Sequence, residues 1–206
     1  MRRAEAVLFS APEPLTSAQL AERLPAGADV DVVLAELSAF YRDRGVNLVR
    51  VAGGWCFRTA EDLGSVLGPA DAQPVRLSRA AMEILAIVAY HQPSTRAEIE
   101  AIRGVAASKG TLDTLIETGW VRLRGRRRAP GRPVTYGTTP AFLAHFGLDA
   151  ITDLPGLEEL KGLGFLEGRL PQGLAPPAPS DSLALMADED PLEADLGSMT
   201  PYGPDE

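Results

Sequence analysis

The chain has 206 residues, of which 45% are hydrophobic, and its formal net charge is −8 at pH 7. Residues 1–170 carry 20 acidic and 20 basic side chains, whereas residues 171–206 carry eight acids and no base. The chain as a whole therefore lacks the net positive charge that is typical of nucleic-acid-binding proteins. A single cysteine, Cys56, excludes an intrachain disulfide and a cysteine-based metal cluster.

The first predicted unit, residues 1–64, begins with an apolar run that ends at Phe9. This run follows Arg2 and Arg3 but is too short for a signal peptide, and the chain has no apolar stretch of 18 residues. We therefore expect a cytoplasmic protein without membrane contact. Periodicity predicts three helices, at 4–11, 16–24 and 29–44. Two predicted strands follow, at 47–51 and 55–59, and form a β-hairpin turned by Gly53-Gly54.

One sequence pattern of this unit recurs 79 residues later in the chain. The two copies read Pro14-x-Thr16-x-x-Gln19-Leu20 and Pro93-x-Thr95-x-x-Glu98-Ile99. A threonine followed three residues later by Gln or Glu is the capping box that starts a helix. The repeat predicts two similar units, joined by a linker over 65–75 that is rich in Gly, Pro and Ala.

The second predicted unit, residues 76–165, repeats the order of three helices and two strands. The predicted elements are a helix from Leu77 to before Pro93, one from Thr95 to Gly104, one around Leu112 closed by Gly119, strands beginning at Val121 and Val134, and a helix from Pro140 to Gly147. A last short helix is expected to reach Leu160. The loop Gly125–Pro133 between the strands is too long for a tight turn and is the predicted wing. We expect a mainly α fold with small β wings (α+β), built as two tandem winged helix-turn-helix domains.

The segment 166–206 is predicted to be a disordered acidic tail, because it is rich in Pro, Ala and acids and poor in aromatic residues. Leu183, Leu185 and Met186 form a candidate docking motif within it. A fully solvated tail is the simpler interpretation.

Three motifs of the second unit occur in order: AIVAYHQPSTRAEIEAIRG, GRPVTYGTTPAFLAHFGL and DLP. With them, residues 76–161 resemble the segregation and condensation protein B family of bacteria. The resemblance implies two winged-helix domains, a homodimer formed largely through the N-terminal domain, and binding of a kleisin subunit chiefly by the C-terminal domains. Through the kleisin, such a dimer regulates a structural-maintenance-of-chromosomes ATPase in chromosome condensation and segregation. The resemblance implies no catalysis and no cofactor. Met82-Glu83 and Ser94-Thr95 depart from the family's usual Leu-Glu and Ile-Thr, which leaves contact details open.

Six arginines without an intervening acid lie within eleven residues at the predicted wing: Arg122, Arg124, Arg126, Arg127, Arg128 and Arg132. Guanidinium groups on such a loop suit phosphate contacts. Arg124, Arg126, Arg127 and Arg128 are therefore candidate nucleic-acid contacts, with weak binding expected. A solvated loop, or pairing with acids of a partner or of the tail, explains the same pattern.

The predicted third helices argue against sequence-specific DNA recognition, because acids on them would repel phosphates. The acids are Asp113 and Glu117 in the second unit, and Asp29, Asp31, Glu36 and Asp43 in the first. A winged-helix transcriptional regulator that uses the arginine wing remains the alternative to the kleisin-binding adaptor. Ile99, Ile102, Leu112 and Leu115 are the candidate kleisin contacts, and burial within their own domain is the competing fate.

Other residues are interpreted as structural. Glu83 lies in an apolar helix, where a buried carboxylate would need Arg96 or Arg103 as a partner, unless it is exposed. Tyr136 is expected to pack against the core, and Gly131 and Pro133 to shape the wing.

No metal site or catalytic centre is predicted. His91 and His145 lie far apart in sequence, without a nearby ligand at metal-binding spacing. Cys56 is expected to be a small core residue. Because no nucleophile, base and orienting group fall together, the sequence favours a binding protein over an enzyme.

Overall fold

The computed structural model describes residues 1–67, 77–156 and 184–192, and these residues form an α+β fold. The predicted linker beyond residue 67, the predicted helix to Leu160 and most of the predicted tail lie outside the described residues. The described strands form a two-stranded sheet in the first half and a four-stranded sheet in the second.

The first half has the predicted order of three helices and a hairpin. Its elements are α1 (Arg2–Ser10), α2 (Ser17–Ala21), α3 (Val30–Tyr41), β1 (Val46–Val51), β2 (Gly54–Thr59) and a 3₁₀ segment (Glu61–Leu67). Thr16 and Gln19 form the predicted capping box. The side chain of Asp29 caps α3 by accepting from the amide of Val32.

The tip of the first hairpin differs from the prediction by one residue. Ala52 and Gly53 occupy the turn with positive φ angles of 52° and 75°, and Gly54 already belongs to β2. A Cβ on Gly54 would lie 2.8 Å from the Cβ of Pro14, so this glycine permits close packing of the segment before α2.

The core of the first half lies between the three helices and the hairpin. Leu20, Leu34 and Leu37 are at most 2% exposed, and Ala4 and Leu8 of α1 complete the contact. The apolar stripes of the helices, read from the sequence, therefore point into this core.

The second half also begins with three helices. Its elements are α4 (Arg79–His91), β3 (Ser94–Thr95), α5 (Arg96–Arg103), α6 (Lys109–Glu117), β4 (Val121–Arg127), β5 (Val134–Thr138) and α7 (Pro140–Phe146). Thr95 and Glu98 form the second predicted capping box. Gly104 and Gly147 end α5 and α7 in the left-handed conformation that glycine adopts without strain.

The four-stranded sheet has the order β3-β5-β4-β6. Its outer strand, β6 (Glu189–Pro191), comes from the predicted tail and pairs antiparallel with β4. The prediction of disorder is therefore wrong for residues 184–192, because acids there pair with arginines far away in sequence. The wing is shorter than predicted, since β4 continues through a bulge to Arg127.

The two halves meet at the tip of the first hairpin. The amide of Ala52 donates to the carbonyl of Leu148 at 2.8 Å, and the amide of Gly53 donates to Asp149 Oδ1 at 2.9 Å. Arg50 Nε lies 3.2 Å from Asp149 Oδ2, and the Arg58 guanidinium donates to the carbonyl of Ala144. A cleft of about 920 Å³ opens beside these contacts.

Candidate functional site

The first half exposes a group of aromatic and apolar side chains that we call the aromatic face: Phe9, Phe40, Tyr41, Val46 and Phe57. Phe9 is 81% exposed, Phe40 51% and Val46 42%. The face contains a groove of about 430 Å³ between α1, the end of α3 and the hairpin. Exposed apolar side chains that adjoin one another mark an interaction surface, whereas isolated ones do not.

Polar contacts hold the aromatic face in shape. The Tyr41 hydroxyl donates to the carboxylate of Glu5, and this hydrogen bond raises the pKa of Tyr41. The Tyr41 ring packs edge to face on Phe57, with 4.7 Å between centroids. The guanidinium of Arg44 lies 4.1 Å above the ring of Phe40, within the range of a cation–π contact.

The predicted kleisin contacts lie mainly in the core of the second half. Ile99 and Leu115 are 0% exposed and Leu112 is 2% exposed, while Ile102 is half-buried. These helices turn their apolar stripes towards each other, so the prediction of a contact role for Ile99, Leu112 and Leu115 is corrected.

Other apolar residues of the second half reach solvent. Met82, Val105, Leu123 and Phe146 are 42–56% exposed. Phe146 belongs to an aromatic cluster in which its ring centroid lies 4.7 Å from Phe142 and 5.6 Å from Trp120. Trp120 and His145 of the same cluster line the cleft between the halves. The cluster places an exposed aromatic ring next to that cleft.

The arginines of the wing pair with the tail segment 184–192. Arg124, predicted to contact nucleic acid, has a side chain only 2% exposed, with its Nη2 at 3.4 Å from Glu189 Oε2. Arg127 contacts both Asp188, at 2.7 Å, and Glu98, at 3.0 Å. Arg124 thus lies inside the protein, and Arg127 is largely enclosed between acids.

The outer arginines of the wing are more exposed. Arg128 Nε lies 2.7 Å from Asp190 Oδ1, and Arg132 Nη2 lies 3.3 Å from Asp190 Oδ2. The hydrogen bond from Arg128 is the largest cause that lowers the pKa of Asp190. Arg126 donates to the carbonyl of Arg132, within the wing itself. Of the explanations left open by the sequence, the structure supports pairing with acids of the tail.

The predicted ion pair between α4 and α5 is present in part. Glu83 Oε2 lies 3.1 Å from Arg103 Nη2, and Glu83 Oε1 lies 3.2 Å from Arg79 Nε. The Glu83 side chain is 44% exposed rather than buried. Arg96, the other predicted partner, instead contacts Glu100, one turn further along its own helix, at 3.0 Å.

Glu83→Gln is expected to lower the melting temperature slightly at neutral pH. The hydrogen bond from Arg103 lowers the pKa of Glu83 in the folded protein. The stabilisation is therefore present above the unfolded carboxyl pKa and is lost as the pH falls through the folded pKa. Thermal melts of wild type and variant should differ at neutral pH and converge in acid. Glu117→Gln, at an exposed position of α6, serves as the control, and an equal effect of both substitutions would contradict the prediction.

The remaining predicted structural residues lie as follows. Tyr136 is half-buried against the second core, and burial raises its pKa. Gly131 has a φ of 82° in the wing turn, and the carbonyl of Pro133 accepts from the amide of Arg127 at 2.9 Å. Both residues thus shape the wing. Cys56 is half-buried and lines the cleft, which corrects its expected place in the core.

Metal-binding geometry is absent from residues 1–67, 77–156 and 184–192, where no three His, Cys, Asp or Glu side chains could hold an ion. His91 is half-buried, and burial lowers its pKa. Within the same residues no helix is long and apolar enough to cross a membrane.

Comparison with known proteins identifies the family. The model of the segregation and condensation complex subunit ScpB matches residues 2–157. The chain belongs to the ScpB family. This confirms the resemblance found in the sequence and gives the chain a general role in chromosome segregation and condensation.

Curated relatives of the ScpB family match most of the chain. Segregation and condensation protein B of Syntrophotalea carbinolica is 46% identical over 165 residues, which cover 77% of this chain and 82% of that protein. The Moorella thermoacetica protein of the same name is 45% identical over 163 residues (76% and 82%). The homolog from Coxiella burnetii is 38% identical over 177 residues (83% and 85%).

Two solved structures are also similar. The crystal structure of ScpB from Mycobacterium tuberculosis is 33% identical and covers 71% of this chain and 94% of that chain, with a TM-score of 0.34. A conserved hypothetical protein from Chlorobium tepidum is 35% identical, with the same coverage and a TM-score of 0.33. The family assignment rests on the sequence matches.

Two features of this ScpB-family chain were missed by sequence reasoning. Phe9 was assigned to a helix but not to an exposed face, although it ends an apolar run at the last turn of α1. The sequence allows pairing of the wing with acids of the tail, but it does not single out Asp188, Glu189 and Asp190, although three successive acids complement the arginine wing in sign.

Proposed function

We propose that the chain is the non-catalytic, homodimeric adaptor of a bacterial condensin-like complex. It binds the kleisin subunit and regulates the chromosome-organising ATPase through it, in the cytoplasm and at the nucleoid. The family match over residues 2–157 is the observation that carries this proposal. The order of three helices and a hairpin in each half supports two winged-helix domains.

We assign the aromatic face to the homodimer. Its groove is shallow and largely apolar, and Phe9 projects beside it. In a two-fold interface the same patch occurs on both copies, so Phe9 of each copy can enter the groove of the other. Burial of an aromatic side chain contributes roughly 1.5–3 kcal/mol, and the symmetry doubles this contribution.

We assign the kleisin contact to the surface around Phe146. The aromatic cluster of Trp120, Phe142, His145 and Phe146 presents two exposed rings, His145 and Phe146, next to the cleft. Apolar anchors beside a groove suit an amphipathic helix of a partner. The proposed mechanism is scaffolding: two such surfaces on one dimer hold a stretch of kleisin and so set the geometry of the ATPase heads.

The alternative, a DNA-binding transcriptional regulator, draws no support from the wing as described. Arg124 is buried, and Arg127 and Arg128 are paired with acids of residues 188–190. Phosphate binding requires several arginines to act together on a duplex. In this chain, these arginines instead contact acidic side chains of residues 188–190.

Size-exclusion chromatography with light scattering tests the proposal. Alone, the chain is expected to show twice its mass of 21.9 kDa, and with its cognate kleisin fragment it is expected to co-elute at moderate salt. Labelled duplex should show little binding to the chain alone. A monomer that ignores the kleisin and binds duplex with steep salt dependence would overturn the proposal.

A further inference from the structure

The outer edge of β4 is covered by a strand of the chain's own tail. Arg126 pairs with Asp190 and Arg127 with Glu189 in antiparallel register, and the amide of Arg128 donates to the carbonyl of Asp188 at 2.8 Å. An uncovered edge strand presents backbone donors and acceptors that recruit another strand. The edge of β4 therefore has the form of a peptide-binding site.

The site contains a pocket for one glutamate side chain. The Glu189 side chain is 0% exposed, and its Oε1 accepts from the Thr135 hydroxyl at 2.6 Å. Its Oε2 accepts from the amide of Met186 at 3.0 Å and from Arg124 Nη2 at 3.4 Å. The Thr135 oxygen accepts in turn from the amide of Gly125 at 3.0 Å, so both carboxylate oxygens of Glu189 and the Thr135 hydroxyl have partners. A buried carboxylate is tolerated only with such partners.

Two aspartates flank the glutamate and contact the more exposed arginines. Asp188 meets Arg127 at 2.7 Å, and Asp190 meets Arg128 at 2.7 Å. Asp188 precedes β6 and Asp190 follows Glu189 within it, and their side chains are 57% and 27% exposed, against 0% for Glu189. Each of the three successive acidic residues thus contacts a different arginine: Asp188 contacts Arg127, Glu189 contacts Arg124, and Asp190 contacts Arg128.

Glycine at position 125 is part of the site. A Cβ on Gly125 would lie 2.5 Å from the carbonyl oxygen of Asp190 and 2.8 Å from Cδ2 of Leu185. A side chain at this position would therefore push the tail strand away. The β4 edge therefore accommodates a closely packed peptide backbone as well as acidic side chains.

We propose that the β4 edge is a recognition site for an extended acidic peptide, that Arg124 and Thr135 select a glutamate in it, and that residues 184–192 are its resident ligand. The ligand class follows from the backbone pairing and the enclosed carboxylate. A nucleic acid offers phosphates to the arginines but no strand to pair with β4, so the observations favour a peptide.

The chain of 206 residues carrying Glu189→Lys tests the proposal, because a lysine facing Arg124 releases the tail from the site. The probe is a fluorescent peptide of residues 182–193, Ser-Leu-Ala-Leu-Met-Ala-Asp-Glu-Asp-Pro-Leu-Glu. Fluorescence anisotropy is expected to show binding to the variant about tenfold or more tighter than to wild type, whose attached tail competes at a high effective concentration. A peptide with Gln in place of Glu189 should bind about tenfold or more weakly, because it lacks the charge-assisted hydrogen bonds.

The second variant combines Glu189→Lys with Arg124→Gln and is expected to lose the peptide. Hydrogen exchange provides a measurement that does not depend on the probe: the amide of Arg128 should be protected in wild type and exposed in Glu189→Lys. The amides of α4, residues 79–91, should exchange equally in both chains, which reports that the fold of the second half is retained.

Two results would overturn the proposal. The first is equal peptide binding by wild type and Glu189→Lys, with unchanged exchange at Arg128. The second is a gain of binding to a labelled duplex without a gain of peptide binding, which would make the wing a nucleic-acid surface that the tail covers.

Discussion

A chain that carries Phe9→Glu is expected to run as a single copy in light scattering at concentrations where wild type is expected to have the mass of two copies. The Phe9 ring is 81% exposed and lies beside the groove of the aromatic face. A glutamate there removes an apolar contact from each copy and places two charged groups in a largely apolar groove, where each loses water. Loss of about 1.5–3 kcal/mol from each copy raises the dissociation constant by at least two orders of magnitude.

Val66→Glu is the matched control for this substitution. Val66 is also apolar and 74% exposed, but it lies in the 3₁₀ segment after β2 rather than on the aromatic face. In light scattering, the Val66→Glu variant should still have the mass of two copies. If Phe9→Glu also kept that mass while remaining folded by circular dichroism, the assignment of the aromatic face to the dimer would be wrong.

Leu115→Ala is expected to lower the free energy of unfolding of the second half by about 2–5 kcal/mol. Leu115 is 0% exposed and packs in a core with Ile84, Ile99 and Trp120. Its truncation removes buried methyl groups and leaves a cavity that rigid neighbours fill only in part. Urea denaturation measures the change, followed by fluorescence in a Trp55→Phe background, where Trp120 is the remaining tryptophan.

Val105→Ala provides the comparison, because Val105 is 56% exposed and should change the free energy of unfolding by no more than about 0.5 kcal/mol. Kleisin affinity, measured under conditions where both variants are folded, should match wild type. The opposite pattern for Leu115→Ala, with stability retained and affinity lost, would restore the sequence-based view that this residue contacts the partner.

The elements that sequence reasoning predicted well are those specified by neighbouring residues. Both capping boxes, at Thr16 and Thr95, start helices where predicted, because a cap forms within one turn of chain. Gly104 and Gly147 end helices because only a few positions nearby tolerate a positive φ. Such signals need no knowledge of distant contacts.

The elements that it predicted poorly depend on residues far away in the chain. Residues 189–191 have the composition of a disordered tail, and they form a strand only because β4 and its arginines lie opposite. Periodicity placed Ile99 and Leu115 on apolar faces but could not say what covers those faces. For Glu83 the sequence suggests two possible partners, Arg96 and Arg103. Arg96 instead pairs with Glu100 on its own helix.

The contact between the halves has a consequence for the proposed dimer. At the hairpin tip, two backbone donors of residues 52 and 53 and the cation of Arg50 meet Leu148 and Asp149, and Arg58 donates to the carbonyl of Ala144. A joint made of a few polar bonds can open and re-form in water at small cost, since water replaces each bond. Such a joint can act as a hinge: in the proposed dimer, two copies joined at their first halves would change the distance between their second halves without disturbing either core.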